Sequence, residues 1–259
     1  MTGQPDHLTD EAGTVLTESI DERVYFVRSK RWIAYPKAVE ILGHLNALLK
    51  HPRTTRMPSL AVYGDSGMGK SMLVEKFKDD YGLSASDRPD GQKTKVLVVE
   101  MAGRPNEWRL YAQILAVVGA PQNPRATIVE LERTAVRLLG DLGVQVLVLD
   151  EIHNVLAASW REQRVVFNTL RYLSNELKLS LVCFGIMEAR QAINGDVQLA
   201  RRFDAVSLPR WTAGKEFEQL VLAIPQPAIE RTERSYGERP SAHSSDQRRR
   251  QRAHLPHAQ

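Results

Sequence analysis

Eight consecutive residues constrain this chain more than any other feature. Residues 64–71 read Gly-Asp-Ser-Gly-Met-Gly-Lys-Ser, which is a complete GxxxxGK[ST] phosphate loop. The segment before the loop, 60–63, is apolar and rich in strand-forming residues, and the segment after it, 72–77, has helical spacing. In this strand–loop–helix context, backbone amides can surround a phosphate group. The sequence therefore predicts that the chain binds a nucleoside triphosphate.

Each part of the loop has an expected task in holding ATP and Mg²⁺. Glycines leave the backbone free to approach a phosphate. Lys70 supplies a positive charge to the β- and γ-phosphates, and the Ser71 hydroxyl is a ligand for Mg²⁺. The residues expected to contact the nucleotide are Gly64, Asp65, Ser66, Gly67, Met68, Gly69, Lys70 and Ser71.

Two adjacent acids complete the predicted site. Residues 144–149 are almost continuously apolar and end in Asp150 and Glu151, which is typical of a strand buried on both faces of a parallel sheet. Asp150 then lies at the carboxyl end of that strand, where it is expected to hold Mg²⁺. Glu151 is expected to be the general base that takes a proton from the attacking water. The pair favours hydrolysis over phosphoryl transfer to a small molecule.

Strands and helices alternate along the chain. Strands are predicted at 60–63, 95–100, 144–149, 179–186 and 206–208. Helices are predicted from Pro36 to His51, at 108–118, at 128–139 and at 160–177. This alternation predicts an α/β fold with a three-layer αβα core and a mostly parallel five-stranded sheet.

Composition adds weaker constraints. The single cysteine, Cys183, lies in an apolar run and is expected to be a core residue in a reducing compartment, the cytoplasm. No apolar run approaches the length that crosses a membrane. The net charge is +4, but much of the excess lies in the last thirty residues. Trp160 and Trp211 are expected to pack between helices.

The order of these features resembles an AAA+ ATPase core. The lead-in Arg-Trp-Ile-Ala-Tyr-Pro at 31–36, followed by a helix and Arg-Met-Pro at 56–58, resembles TniB, the ATPase of mobile elements that assists a transposase. The resemblance covers roughly residues 22–212. It implies ATP-dependent assembly into a ring or filament on double-stranded DNA, and contact with a partner transposase.

The resemblance also assigns a catalytic role to an arginine. In AAA+ assemblies, an arginine before the last core strand reaches the γ-phosphate bound by a neighbouring subunit. Arg201 and Arg202 both match that place, and the sequence leaves the choice open. His153 and Asn154 follow the acids and either orient water or cap the next element. The family pattern also expects a polar sensor residue (Asn, Thr or Ser) at the end of the fourth strand, where this chain has Gly-Ile-Met-Glu at 185–188, so the sensor role is unassigned.

The predicted domain organisation has five parts. They are a mobile N-terminus (1–22), a helical lead-in (23–56), the AAA+ core (57–211), a remnant of a helical lid (212–224) and a disordered basic tail (225–259). From Pro225 the apolar periodicity stops, and residues 244–252 are rich in arginine. The tail is either an out-of-frame remnant or a genuine basic segment.

Two other functions share this fold and site. A helicase loader would have the same chemistry with a different partner, and a nucleotide-gated interaction protein would bind ATP with little turnover. No helix-turn-helix or zinc-finger spacing is present, so DNA binding is expected to be independent of base sequence. The candidate phosphate contacts are Arg28, Lys30, Arg31, Lys37, Arg104, Arg109 and Arg125.

Overall fold

A computed structural model describes residues 14–15, 17–82, 93–101, 103–121, 123–195 and 200–223. The predicted basic tail, 225–259, and residues 1–13 and 16 of the predicted mobile N-terminus lie outside the described residues. The boundaries of the five predicted parts therefore stay predictions.

The described elements alternate between helix and strand. In chain order they are α1 (Ile20–Arg28), α2 (Pro36–Lys50), β1 (Ser59–Gly64), α3 (Lys70–Tyr81), β2 (Val96–Glu100), α4 (Glu107–Val117), α5 (Ile128–Leu142), β3 (Val146–Asp150), a 3₁₀ helix (Ile152–Ala157), α6 (Trp160–Leu177), β4 (Ser180–Gly185), α7 (Ala189–Asn194), β5 (Phe203–Leu208) and α8 (Lys215–Ala223).

The five strands form one parallel sheet in the order β2-β3-β4-β1-β5. Strand β1 is paired on both sides, with Leu60 opposite Val182 of β4 and opposite Asp204 of β5. Because all strands point the same way, the segments that follow β1, β3, β4 and β5 emerge together at one edge, here called the carboxyl edge. The opposite side is the amino edge.

Both faces of the sheet are covered by helices. Ala61 and Tyr63 of β1 point to a core cluster that includes residues of α4, α5, α6 and α7. Leu60 and Val62 point to the other cluster, with residues of α2 and α3. This alternation along a strand confirms the predicted three-layer αβα core. Cys183 of β4 is buried, as predicted.

The helix starts follow capping signals in the sequence. Thr127 and Glu130 form a capping box at the start of α5, and Ser159 and Glu162 form another at α6. Helix α2 begins at Pro36, whose fixed backbone suits a first helical position. Among the described helices, none combines the length and apolarity that a membrane crossing requires.

Helix α1 does not belong to the compact unit Lys30–Ile224. Ser19 and Glu22 form its capping box, so the helix begins at Ile20, before the predicted lead-in at residue 23. Two further short elements, the 3₁₀ helix and α7, were absent from the predicted set. Six residues are too few for a helical period to stand out in a sequence.

Candidate nucleotide site

The phosphate loop joins β1 to α3 at the carboxyl edge. Gly67 has φ 79° and Gly69 has φ 90°, which is the left-handed region that strains residues with a side chain. These two positions allow the chain to reverse sharply between strand and helix. Helix α3 therefore starts at Lys70, with the positive end of its dipole directed at the loop.

Lys70 is buried within the loop that it serves. Lys70 is only 7% exposed, and its Nζ donates hydrogen bonds to the carbonyl oxygens of Gly64 (2.7 Å) and Asp65 (2.8 Å). Among the described residues, no carboxylate forms an ion pair with this ammonium group. Since a buried charge is costly without an opposite charge, the loop is prepared for an anion.

Asp150 lies at the end of β3, separated from β1 by β4. Burial raises the pKa of the Asp150 carboxyl, and the charges of Glu151 and Glu100 raise it further. A hydrogen bond of 2.9 Å from the Glu151 amide, together with the Lys70 charge, acts in the opposite direction. A carboxylate in this environment gains more from a nearby cation than an exposed one does.

Glu151 adopts an unusual backbone conformation. Its φ of 54° places a non-glycine residue in the left-handed region, which ends β3 and starts the 3₁₀ helix. The Glu151 Oε2 lies 3.0 Å from Nδ1 of His153, in an electrostatic contact that does not meet hydrogen-bond geometry. Asn154 donates instead to the carbonyl of Met101, so it fixes the 3₁₀ helix to the end of β2.

The end of β4 is packed too closely for a side chain. A Cβ built on Gly185 would lie 2.8 Å from Cγ2 of Ile152, which belongs to the 3₁₀ helix. The 3₁₀ helix that follows the two acids therefore crosses directly over β4. This close contact explains why position 185, one of the four where the family pattern expects a polar residue, holds glycine.

A cavity of about 370 Å³ adjoins the phosphate loop. Its wall includes Met68 of the loop, and Trp211 meets Tyr35 edge-on with 4.9 Å between ring centroids. The Tyr35 hydroxyl lies 3.5 Å from the position that a Cβ atom would take on Gly69. The volume is in the range of small-molecule sites.

Arg210 links this cavity to the loop. It follows β5 and forms an ion pair with Asp65, which raises the pKa of the Arg210 guanidinium. Sequence reasoning gave no role to Tyr35 or Arg210. Arg210 reaches the loop because β5 lies beside β1, and Tyr35 reaches it from the start of α2. Neither placement can be obtained from one sequence.

The two candidate arginines lie at the amino edge. Ser59 at the start of β1 donates a backbone hydrogen bond to the carbonyl of Arg202. At about 3.3 Å per residue, the six residues of β1 separate this place from the phosphate loop by roughly 20 Å. Arg201 and Arg202 therefore cannot reach the loop of their own chain.

The surroundings of these two arginines differ. Arg202 is partly buried and donates to the Asn175 side chain at 2.8 Å, and burial together with Arg56 and Arg171 lowers its pKa. Arg201 is exposed, and no described residue accepts a hydrogen bond from its side chain. Both line a polar cavity of about 540 Å³.

The two tryptophan predictions have different outcomes. Trp211 packs against Phe217 of helix α8, with ring centroids 6.3 Å apart, in accordance with the prediction. The prediction for Trp160 is wrong, because this residue is 67% exposed. It occupies the first position of α6, where no preceding turn of the helix lies beside the side chain.

Three solved structures are similar to this fold. The ORC1 protein of Aeropyrum pernix in complex with DNA has a TM-score of 0.56 and 18% identity, over 77% of this chain and 52% of that one. The ORC2 protein of the same organism has a TM-score of 0.53 and 16% identity, over 76% of this chain and 54% of that one. Cdc6p of Pyrobaculum aerophilum has a TM-score of 0.54 and 19% identity, over 77% of this chain and 53% of that one. This chain thus spans about half the length of each, and its fold is that of AAA+ P-loop proteins.

A family model refines this class. Residues 23–213 match the model described as bacterial TniB protein, so the chain belongs to the TniB family, as the sequence resemblance predicted. No curated protein sequence matches the chain.

Proposed function

We propose that this protein is a Mg²⁺-dependent ATPase that assists DNA transposition. One observation carries the ATPase assignment: a buried lysine without a carboxylate partner among the described residues lies across β4 from a half-buried aspartate and a glutamate. Membership of the TniB family supports the transposition role.

The residues divide the chemistry of hydrolysis among them. Lys70 and the loop amides bind the phosphates, which would replace the carbonyl partners that Lys70 now has. Glu151 accepts a proton from the water that attacks the γ-phosphorus, while the bond from that phosphorus to the bridging oxygen of ADP breaks. The cavity lined by Tyr35 and Trp211 receives the adenine base, whose flat ring suits an aromatic wall.

The donor set at the carboxyl edge fits Mg²⁺. This ion needs only one or two protein ligands, because water and phosphate oxygens complete its coordination. Asp150 and the Ser71 hydroxyl would provide them, and the ion would neutralise charge on the phosphates. No group of three or more described His, Cys, Asp or Glu residues could hold a metal by itself, so such a site depends on the nucleotide.

A complete site requires a second subunit. Arg201 and Arg202 lie at the edge opposite to the loop, and only a neighbour placed amino edge to carboxyl edge can use them. Such a head-to-tail contact generates a ring or a filament. Arginine suits this role because its charge is permanent and its planar group contacts two phosphoryl oxygens.

The partners follow from the family and from one structural neighbour. We infer that the assembly forms on double-stranded DNA and contacts a transposase. The similar ORC1 structure was solved in complex with DNA, which supports DNA as a ligand for this fold. A helicase loader would instead bind a replicative helicase, and no observation favours that partner.

The test is ATP hydrolysis with and without double-stranded DNA. We expect Mg²⁺-dependent phosphate release that rises when duplex DNA is added. Glu151→Gln is the matched control, since it keeps the shape of the side chain and removes the base. Equal phosphate release by this variant and the wild type would contradict the assignment.

One observation favours a second candidate, a nucleotide-gated interaction protein with little turnover. The end of β4 has Gly-Ile-Met-Glu in place of the polar residue that the family pattern expects, and Gly185 has no room for a side chain. Tight ATP binding with phosphate release no faster than that of Glu151→Gln would favour this candidate.

A further inference from the structure

The start of helix α6 presents a charged surface that the nucleotide site does not use. Trp160 is 67% exposed, and the Arg164 guanidinium lies 4.7 Å from the centroid of its ring. Arg161 and Arg164 are both exposed. Arg104 borders the same surface, since it pairs with Glu162 of α6 at 3.3 Å. We call Arg104, Trp160, Arg161 and Arg164 the α6 patch.

We propose that the α6 patch binds the phosphate backbone of double-stranded DNA. The proposal rests on the proposed function for DNA as a partner, and it adds the place of contact. No carboxylate among the described residues pairs with Arg161 or Arg164. The nearest acid in sequence, Glu162, accepts hydrogen bonds from the Ser159 amide (2.8 Å) and hydroxyl (2.6 Å) and pairs with Arg104. Two arginine charges are therefore available to phosphates.

Trp160 positions one of these charges. A cation over an aromatic face is held by the ring, so Arg164 loses less freedom when a phosphate binds. The guanidinium also occupies one face of the indole, and that face is not free for an unpaired base. This arrangement suits a duplex backbone better than a single strand, whose bases stack on open aromatic faces.

The patch is connected to the catalytic acids by a short, fixed segment. The 3₁₀ helix between Glu151 and Trp160 buries Ile152 and Val155, and Asn154 bonds to the end of β2. This segment is the route through which DNA bound at the start of α6 would act on Glu151. We expect that duplex DNA stimulates hydrolysis through the α6 patch.

The experiment compares duplex binding by three proteins over a salt series. They are the wild type, the double variant Arg161→Ala with Arg164→Ala, and a matched control, Arg133→Ala with Arg137→Ala, which removes two exposed arginines of α5. Fluorescence anisotropy with a labelled duplex gives each affinity. Each lost phosphate contact lowers the salt slope by about 0.9, so the α6 variant should lose about two units. Between about 50 and 200 mM salt, the factor by which the affinity falls should therefore be about ten times smaller for this variant than for the wild type.

The outcomes separate this inference from the proposed function. The control should bind like the wild type, Trp160→Phe should bind nearly as well, and Trp160→Ala should bind several-fold more weakly. A double variant with wild-type affinity and salt slope would overturn the α6 patch alone, as would a wild-type preference for single-stranded over duplex DNA. A wild type that binds no duplex at all would overturn both the patch and the proposed DNA partner, whereas ATP hydrolysis would be untouched.

Discussion

The two edges of the sheet differ in the charged groups that they carry. At the carboxyl edge, Lys70 is buried with two carbonyl partners, and burial raises the pKa of Asp150. At the amino edge, Arg201 and Arg202 line a polar cavity together with Arg56 and Asp204. We infer that the first edge binds a nucleotide and a cation, and that the second contacts the nucleotide of a neighbouring subunit.

Under the proposed mechanism, this separation would make a single subunit a poor ATPase. The strands of one sheet keep the two edges roughly 20 Å apart, a distance that no side chain spans. Neither edge can complete the other within one chain. We therefore propose that fast hydrolysis requires assembly.

The largest expected effect on ATP binding comes from Lys70. Lys70→Ala removes charge-assisted contacts to the phosphates, each worth about 1.5–3 kcal/mol, so ATP affinity should fall about a hundredfold or more. Isothermal titration measures the affinity. Lys70→Met controls for the buried stem, and thermal denaturation without ATP establishes that both variants are folded. Unchanged affinity in a folded variant would show that the loop does not bind phosphate.

The next effect separates binding from turnover at the same edge. Glu151→Gln should keep ATP affinity and lower the rate of hydrolysis by about 10²–10⁴, because the amide cannot accept the proton from water. Single-turnover phosphate release measures this rate. His153→Ala is the control, since His153 contacts Glu151 without being the base. A rate unchanged in Glu151→Gln would mean that another residue is the base.

The amino edge should give a somewhat smaller loss. Arg201→Ala should lower hydrolysis by about 10²–10³, the cost of one lost transition-state contact. Its stability should be unchanged, because the side chain is exposed and has no described partner. Arg202→Ala should instead lower the unfolding free energy by about 1 kcal/mol, through loss of the hydrogen bond to Asn175. If only Arg202→Ala loses activity at full stability, the assignments are reversed.

Mixing two inactive variants tests the separation of the edges directly. Arg201→Ala keeps Glu151, and Glu151→Gln keeps Arg201. An equal mixture should therefore form complete sites at about a quarter of its subunit interfaces, by random pairing in a head-to-tail assembly. No recovery of phosphate release above the separate variants would contradict the shared site.

Sequence reasoning located the phosphate loop and the two acids but missed Tyr35 and Arg210 beside the loop, for a physical reason. The loop and the acids are contiguous motifs at the ends of apolar strands, so their local pattern carries their place in the fold. Tyr35 and Arg210 lie beside the loop through long-range contacts, since Arg210 follows β5, which pairs with β1, and Tyr35 precedes α2. The exposure of Trp160 likewise depends on what the folded core leaves uncovered, and helical spacing alone suggested a packed residue.

The smallest effect concerns the stability of the carboxyl edge without ligand. Burial raises the pKa of Asp150 above its ordinary value of 3.8, so the ionised carboxyl favours the folded state less than the neutral one does. This contribution to stability is complete below the ordinary pKa and is lost as the pH rises through the folded pKa. Asp150→Asn has no such loss, so from about pH 4 to about pH 7 the wild type should lose stability relative to the variant.

Thermal denaturation over this pH range measures the difference. At neutral pH without ligand, Asp150→Asn should unfold at a slightly higher temperature than the wild type. With ATP and Mg²⁺ the order should reverse, since bound ligand stabilises the wild type in proportion to its affinity. A variant that is less stable at neutral pH without ligand would show that the hydrogen bond from the Glu151 amide outweighs burial. In that case Asp150 would serve the fold as well as the cation, and the carboxyl edge would be less dependent on its ligand than we infer.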